Sequence, residues 1–418
     1  MAFKLLQRAF EQKFIVDDRE PVFTFKLPYY FFSDDTEWGI LAPRIEPWLQ
    51  ILLFVVVQAV IQSIFAAFIY QFIVPNRRTA SAYILGWGLC IPLSFYLPFA
   101  LLEFLDIRNR MMCLPASTLM TCVTFRCIEA MYNTSPAVVE SSLLNYVAYY
   151  SSPVSFVWDD KKQCRKPVEY SKMASFAGEV LFYFLSASVV VSFLKHYDYR
   201  PFGGEITQYD KFHFGWDLLS LQHLGNAYFH ALAVYLVLST GFNLNALNEM
   251  IKGADVMRIF DSPFLKSRTP NEFWTERWNL MTRNLLKTGV FLPLRQISGP
   301  KLSVLLTFIV SGLYHEYVWM CTFYNQKHLL EGGCEDCHEI QFGRVTGFFF
   351  YTGVLLLLQR PLGKLALFQW FYNNLPRPIL AHLLVLLHLP VASWYYGDWI
   401  HGGYFHSFSI CVFQIQSI

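Results

Sequence analysis

A histidine and a glutamate stand side by side, His315 and Glu316, near the middle of the apolar run LLTFIVSGLYHEYVWMCTFY (305–324). Ionisable groups are costly inside a membrane span, so their presence is a functional-site hypothesis by default. Histidine is the side chain suited to taking up and returning a proton near neutrality. The chemistry on offer is therefore proton transfer at a group held inside the bilayer. His315 lies about 13 residues into its run, roughly 20 Å of helix from the start, a depth that suits an internal reaction chamber. Ser311 and Gly312 precede it by one helical turn and make the face beside it small and polar, which predicts space for a substrate. Glu316 is turned about 100° away and cannot be the carboxylate partner of His315 on the same face. It is divided between a hydrogen bond to a neighbouring helix and a direct role at the site.

A second constellation lies upstream, in SRTPNEFWTERWNLMTRNLL. Thr269, Pro270, Asn271 and Glu272 form a capping box with proline at the first helical position, so a helix is predicted to start there. From it Phe273, Trp274, Arg277, Trp278, Met281 and Leu285 fall on one stripe, with Thr275 and Asn279 on a neighbouring face. Tryptophans favour the headgroup level, and an arginine can lie along it with its head in water. By physics alone this is an interfacial anchor helix.

Large elements are needed to hold these residues. With 54% hydrophobic, 18% aromatic and only 15% charged residues, the 418-residue chain has too little polar surface to coat a soluble globule. A helix needs roughly 20 apolar residues to cross the hydrocarbon core. Eight runs qualify: 48–74, 81–106, 111–132, 174–194, 217–243, 302–325, 345–364 and 379–397. Shorter pieces at 285–297 and 403–414 read as interfacial or re-entrant helices. The expected fold is all-α, a polytopic transmembrane bundle of about eight spans, with an N-terminal membrane-surface arm (1–46) and one membrane domain (47–418). The N-terminal segment, charged throughout, does not read as a cleavable signal. A net charge of +2, without a basic aromatic tract, gives no nucleic-acid surface.

Orientation follows from lysine and arginine. Segment 252–301 carries nine of them, whereas 326–344 carries two with four acids. That places 252–301, and with it the basic loop DDKKQCRKPVEYSK, in the cytosol. The same count puts 326–344 and the N-terminal arm in the lumen.

FWTERWN followed by SGLYHEY within an apolar span resembles the membrane-bound O-acyltransferase superfamily, in its wax-synthase-like branch. The upstream MRIFDSPFLKSRTPNE agrees with that branch's Phe–x–x–Pro lead into the motif, and the resemblance is specific over 256–319. It implies an acyl-CoA-dependent O-acyltransferase that esterifies a lipophilic alcohol, giving a wax-type ester. A sterol, a diacylglycerol or a specialised metabolite as acceptor stays open, as does a catalytically silent structural subunit of a membrane complex. The resemblance implies His315 as catalytic base and Asn279 as the group that orients or polarises the acyl carbonyl. Trp274, Arg277 and Trp278 then shape the acyl-CoA entrance, with Arg277 facing either the coenzyme phosphates or a loop acid. Ser311, Gly312 and Glu316 complete the expected substrate surroundings. No cofactor beyond the co-substrate acyl-CoA and no metal is implied. The partners are acyl-CoA, the alcohol and membrane lipids, with a homo-oligomer or a larger complex left open. The expected location is an integral position in the endoplasmic reticulum or another organelle membrane. Thr275 and Glu276 depart from the family's small or basic residues at those positions.

Other polar residues lie inside spans. His223, Asn226 and His230 share one face, either bonding helices together or lining a tunnel. Arg126 and Glu129, three residues apart, suit an internal ion pair. Glu103 and Glu179 have no evident partner. In the lumenal loop Cys334, Cys337 and His338 follow a C-x-x-C-H pattern, for which haem, a metal site, a disulfide and plain thiols are the alternatives. Asn133, in YNTS, is a glycosylation acceptor by motif but falls on the cytosolic side.

Overall fold

A computed structural model describes residues 19–26, 37–107, 109–204, 215–324, 338 and 340–417. Its strands are β1 (Pro21–Lys26), β2 (Glu37–Leu41), β3 (Trp158–Asp159), β4 (Cys164–Arg165) and β5 (Gln414–Ser417). Its principal helices are α1 (Glu46–Phe72), α2 (Ala80–Phe104), α3 (Arg110–Tyr132), α4 (Leu143–Ser151), α5 (Tyr170–His196) and α6 (Leu221–Ile251). They continue with α7 (Leu280–Leu286), α8 (Leu292–Thr322), α9 (Arg344–Leu362), α10 (Ala366–Asn374), α11 (Arg377–His401) and α12 (Tyr404–Ser409). Among the described residues eight helical bodies are long and apolar enough to cross a membrane, one for each expected run. The chain is an integral membrane protein.

Each span shows which face meets lipid. In α1, Leu49, Leu52, Val56 and Val60 are exposed, while Phe54, Gln58, Gln62, Ala66 and Ile69 are buried. Both glutamines face inward, as polar groups must where lipid offers no partner. Gln58 Nε2 donates to the Pro115 carbonyl at 2.9 Å, and that carbonyl lies on α3. α3 is buried on nearly every side and forms the central post of the bundle.

The termini meet in a three-stranded antiparallel sheet of order β1-β2-β5, in which Gly39 faces Gln416 and Leu41 faces Gln414. This pairing brings residues 21–26 and 37–41 to the same side as 414–417, as an even number of crossings between them requires. The segment 403–414, expected as a short helix, is instead α12 followed by the start of β5. At the other end, the two basic loops assigned to the cytosol lie together. Val157 N–H donates to Asp255 O at 2.9 Å, Asp255 N–H to Lys166 O at 2.8 Å, and Lys172 pairs with Asp255. Glu179 pairs with Arg258 at 2.6 Å, which supplies its missing partner.

The 285–297 piece does not stand apart from its span. α7, a π-helical turn (Lys287–Phe291) and α8 follow one another into span six. The path bends at Gly299, whose φ of 73° and ψ of 169° leave the helical region just before Pro300. Glycine tolerates that backbone, and proline lacks the N–H that a continuous helix would need there.

The expected Arg126–Glu129 ion pair is replaced by a wider network. The Arg126 guanidinium donates to the carbonyls of Tyr149 and Ser152, the latter at 2.8 Å. Glu129 accepts from the Tyr149 hydroxyl at 2.7 Å and from the Thr288 hydroxyl. α3, α4 and the turn below α7 are thereby tied together. Asn226 bonds backbone groups of Phe202 and Gly203, and Tyr324 donates to Glu103. His338 Nε2 lies 2.8 Å from Asp398 Oδ1, while Cys334 and Cys337 lie outside the described residues. Among the described residues no group of three His, Cys, Asp or Glu side chains gathers as a metal site would.

Candidate active site

The predicted helix through FWTERWN is broken where its chemistry lies. Thr269 Oγ1 accepts from Glu272 N–H at 3.1 Å, so the N-terminal cap forms as expected. The turn Glu272–Arg277 is π-helical and ends at an extended Trp278. Asn279 then adopts a left-handed conformation, φ 38° and ψ 62°, and starts α7. Asparagine tolerates this region, and its side chain caps the new helix: Oδ1 accepts from Thr282 N–H at 3.2 Å. With Oδ1 so engaged, the Nδ2 group carries the donors available to a ligand. The single stripe from Phe273 to Leu285 is therefore not continuous.

A cavity of about 1000 Å³ runs between the spans and is lined by His315, Ser311, Asn279, Trp274 and Trp278. Gln58 and Gln62 of α1 and Thr118 and Thr121 of α3 add a polar flank, and most of the remaining wall is apolar or aromatic. His315 Nδ1 lies 2.6 Å from the Ser311 carbonyl one turn earlier. A carbonyl can only accept, so Nδ1 carries the proton and Nε2 presents a lone pair. No group among the described residues bonds that Nε2. The ring stacks on Phe349 at 4.5 Å between centroids, and Tyr395 meets it edge-on at 5.8 Å.

The sequence reading missed a second histidine. His388, buried on α11, lines the same cavity. Its Nδ1 is 2.8 Å from the Leu384 carbonyl, and its Nε2 accepts from the Trp274 indole N–H at 3.1 Å. A histidine inside an apolar run was the available signal, but no motif singled it out.

Three expected site residues do other work. Gly312 opens no space for a substrate: a Cβ there would fall 2.5 Å from Thr346 Cα, so the glycine lets α8 and α9 touch. Glu316 turns away from the cavity. Its Oε1 accepts from the N–H groups of Gly343 and Thr346, both at 2.9 Å, and so caps the first turn of α9. Arg277 donates to Asp261 at 2.5 Å, the loop-acid alternative, and is not among the cavity-lining residues. Arg283 and Lys287 line the cavity, as does Arg44 just before α1, while Trp278 stacks on Phe273 at 5.5 Å and Thr275 joins the lining.

Residues 256–331 match the model of the membrane bound O-acyl transferase family. They contain both Asn279 and His315. Over that segment the chain is thus similar to the membrane-bound O-acyltransferases, and the segment lies in a bundle of spans around a histidine-lined chamber. The chain is 29% identical to probable long-chain-alcohol O-fatty-acyltransferase 8 of Arabidopsis thaliana, over 40% of this chain and 46% of that protein. Probable long-chain-alcohol O-fatty-acyltransferase 3 of the same plant is 29% identical over 42% of this chain and 49% of its own length. Number 9 is 32% identical over 27% and 30%. The chain spans under half the length of these curated relatives.

Proposed function

We propose that this protein transfers a long acyl chain from acyl-CoA to a lipophilic alcohol within the membrane, most simply a fatty alcohol, giving a wax-type ester. One observation carries the reading. His315, with Nδ1 engaged by Ser311 and Nε2 unclaimed among the described residues, shares a cavity with an asparagine whose amide donors are not used in its cap.

In this reading the Nε2 lone pair takes the hydroxyl proton as the alcohol oxygen attacks the thioester carbonyl carbon. Asn279 Nδ2 donates to the oxygen that becomes negative. The tetrahedral centre collapses, the carbon–sulfur bond breaks, and the proton passes from His315 to the departing thiolate. The aromatic wall excludes water, which would otherwise hydrolyse the thioester. Arg283 and Lys287, rather than Arg277, are the groups proposed to meet the coenzyme phosphates.

The similarity to long-chain-alcohol O-fatty-acyltransferases supports an alcohol acceptor. The endoplasmic reticulum is the location we propose. Membranes containing the protein, supplied with labelled acyl-CoA and a panel of fatty alcohols, sterols and diacylglycerol, test the reading. A labelled ester that forms with fatty alcohols and is lost in His315→Ala is expected. Turnover that survives this substitution would overturn the mechanism, and no ester with any acceptor would overturn the activity.

A further inference from the structure

α10 joins the end of α9 to the start of α11 and buries none of its nine residues. Leu367, Phe368, Trp370 and Tyr372 are exposed, whereas Gln369 and Asn373, four apart, form a polar stripe. Tied at both ends to spans by short turns, a helix of this length must lie along the membrane boundary. The charge in its own stretch of sequence has one sign; across the fold Asn271, which bonds Gln359, also bonds Glu276. Arg360, Lys364 and Arg377 are exposed, and the sequence holds no Asp or Glu between Glu339 and Asp398. Among the described residues none of these three cations has a carboxylate partner.

We propose that α10 and its flanking turns are a binding surface for anionic lipid headgroups. The aromatic face enters the acyl boundary, and Arg360, Lys364 and Arg377 reach the headgroup phosphates and carboxylates. The surface is also joined to the cavity mouth. Asn271 N–H donates to Gln359 Oε1 at 2.9 Å, and the Arg268 guanidinium lies over the Tyr372 ring at 5.4 Å. Both contacts reach the segment that carries Trp274, so lipid charge bears on the site through direct neighbours.

The test requires no turnover and is independent of the acyltransferase reading. Full-length protein is placed in phosphatidylcholine vesicles containing equal mole fractions of brominated phosphatidylserine or brominated phosphatidylcholine. The quenching of Trp370 is taken as the difference between wild type and Trp370→Phe. Brominated phosphatidylserine is expected to quench about two-fold more strongly or better, since each cation near an anionic surface contributes to attraction. The preference should vanish in wild type at about 1 M salt, where the screening length is about 3 Å, and in the triple variant Arg360→Gln, Lys364→Gln, Arg377→Gln. Equal quenching by both lipids in wild type would overturn the proposal. So would a preference that persists at high salt, which stands as a test even if the triple variant fails to fold.

Discussion

Two histidines face one cavity from opposite helices and differ at a single atom. His315 and His388 each engage Nδ1 with the carbonyl four residues earlier, at 2.6 and 2.8 Å. In both rings this fixes Nε2 as the acceptor. The indole of Trp274 occupies that acceptor in His388, whereas no described group occupies it in His315. One lone pair is thus spent on holding a wall residue, and the other faces space where a hydroxyl could sit. Burial and depth do not separate a base from a brace here. In the proposed mechanism the partner of the second nitrogen does.

The sharpest break of this comparison is between His315→Ala and His388→Ala. Loss of a general base is expected to lower ester formation by about 10²–10⁴. Loss of the brace frees Trp274 and is expected to cost on the order of 10-fold, since it misplaces a wall without removing a reacting group. Radiolabelled ester formation in membranes, normalised to inserted protein, reads both. Equal losses would mean that the Nε2 contrast does not assign the roles.

Asn279 sharpens the same contrast, because its side chain has two ends, one in the helix cap and one proposed to hold the developing oxyanion. Asn279→Asp keeps an acceptor for Thr282 N–H but loses the amide donor. Its expected loss is about 10²-fold, the scale found when one donor to a developing oxyanion is removed. An aspartate variant with full turnover would leave Asn279 as a helix cap alone.

Much of this was legible in the residues. The eight spans follow from length and hydropathy, and the sequence singled out His315 because an ionisable group in a span is rare. The break at Asn279 was not legible, because the capping box before it and the apolar spacing through Leu285 both favour a continuous helix. Only the left-handed backbone, which asparagine tolerates, shows where α7 begins. Gly312 was misread, and Glu316 left between a bond to a neighbouring helix and a direct role, for one reason. Spacing gives the face of a helix but not what lies opposite, and α9 occupies the side to which both residues turn. Arg277 was ambiguous because its partner Asp261 lies 16 residues away in a loop.

His388 offers a narrower test of the bracing role. Glutamine at this position has an amide oxygen able to accept the Trp274 indole N–H, whereas leucine fills the volume without an acceptor. His388→Gln is expected to recover part of the activity lost in His388→Leu. The loss should fall mainly on the KM for acyl-CoA if the tryptophan shapes the entrance. A glutamine variant no better than leucine would exclude the indole bond as the reason for the effect.

The smallest expected effect on turnover comes from the immediate neighbour of the base. Glu316 accepts from two N–H groups in the first turn of α9, so Glu316→Gln, which keeps the accepting oxygen, should leave activity within about two-fold of wild type. Glu316→Ala strands the N–H groups of Gly343 and Thr346 and should lower thermal stability by about 1–3 kcal/mol, read as a drop in Tm of several degrees in detergent. A charged carboxylate tuning His315 would give the opposite pattern: an inactive glutamine variant with an unchanged Tm. The pair that stands together in sequence would then act together, rather than dividing into a residue that faces the cavity and one that holds the next helix in place.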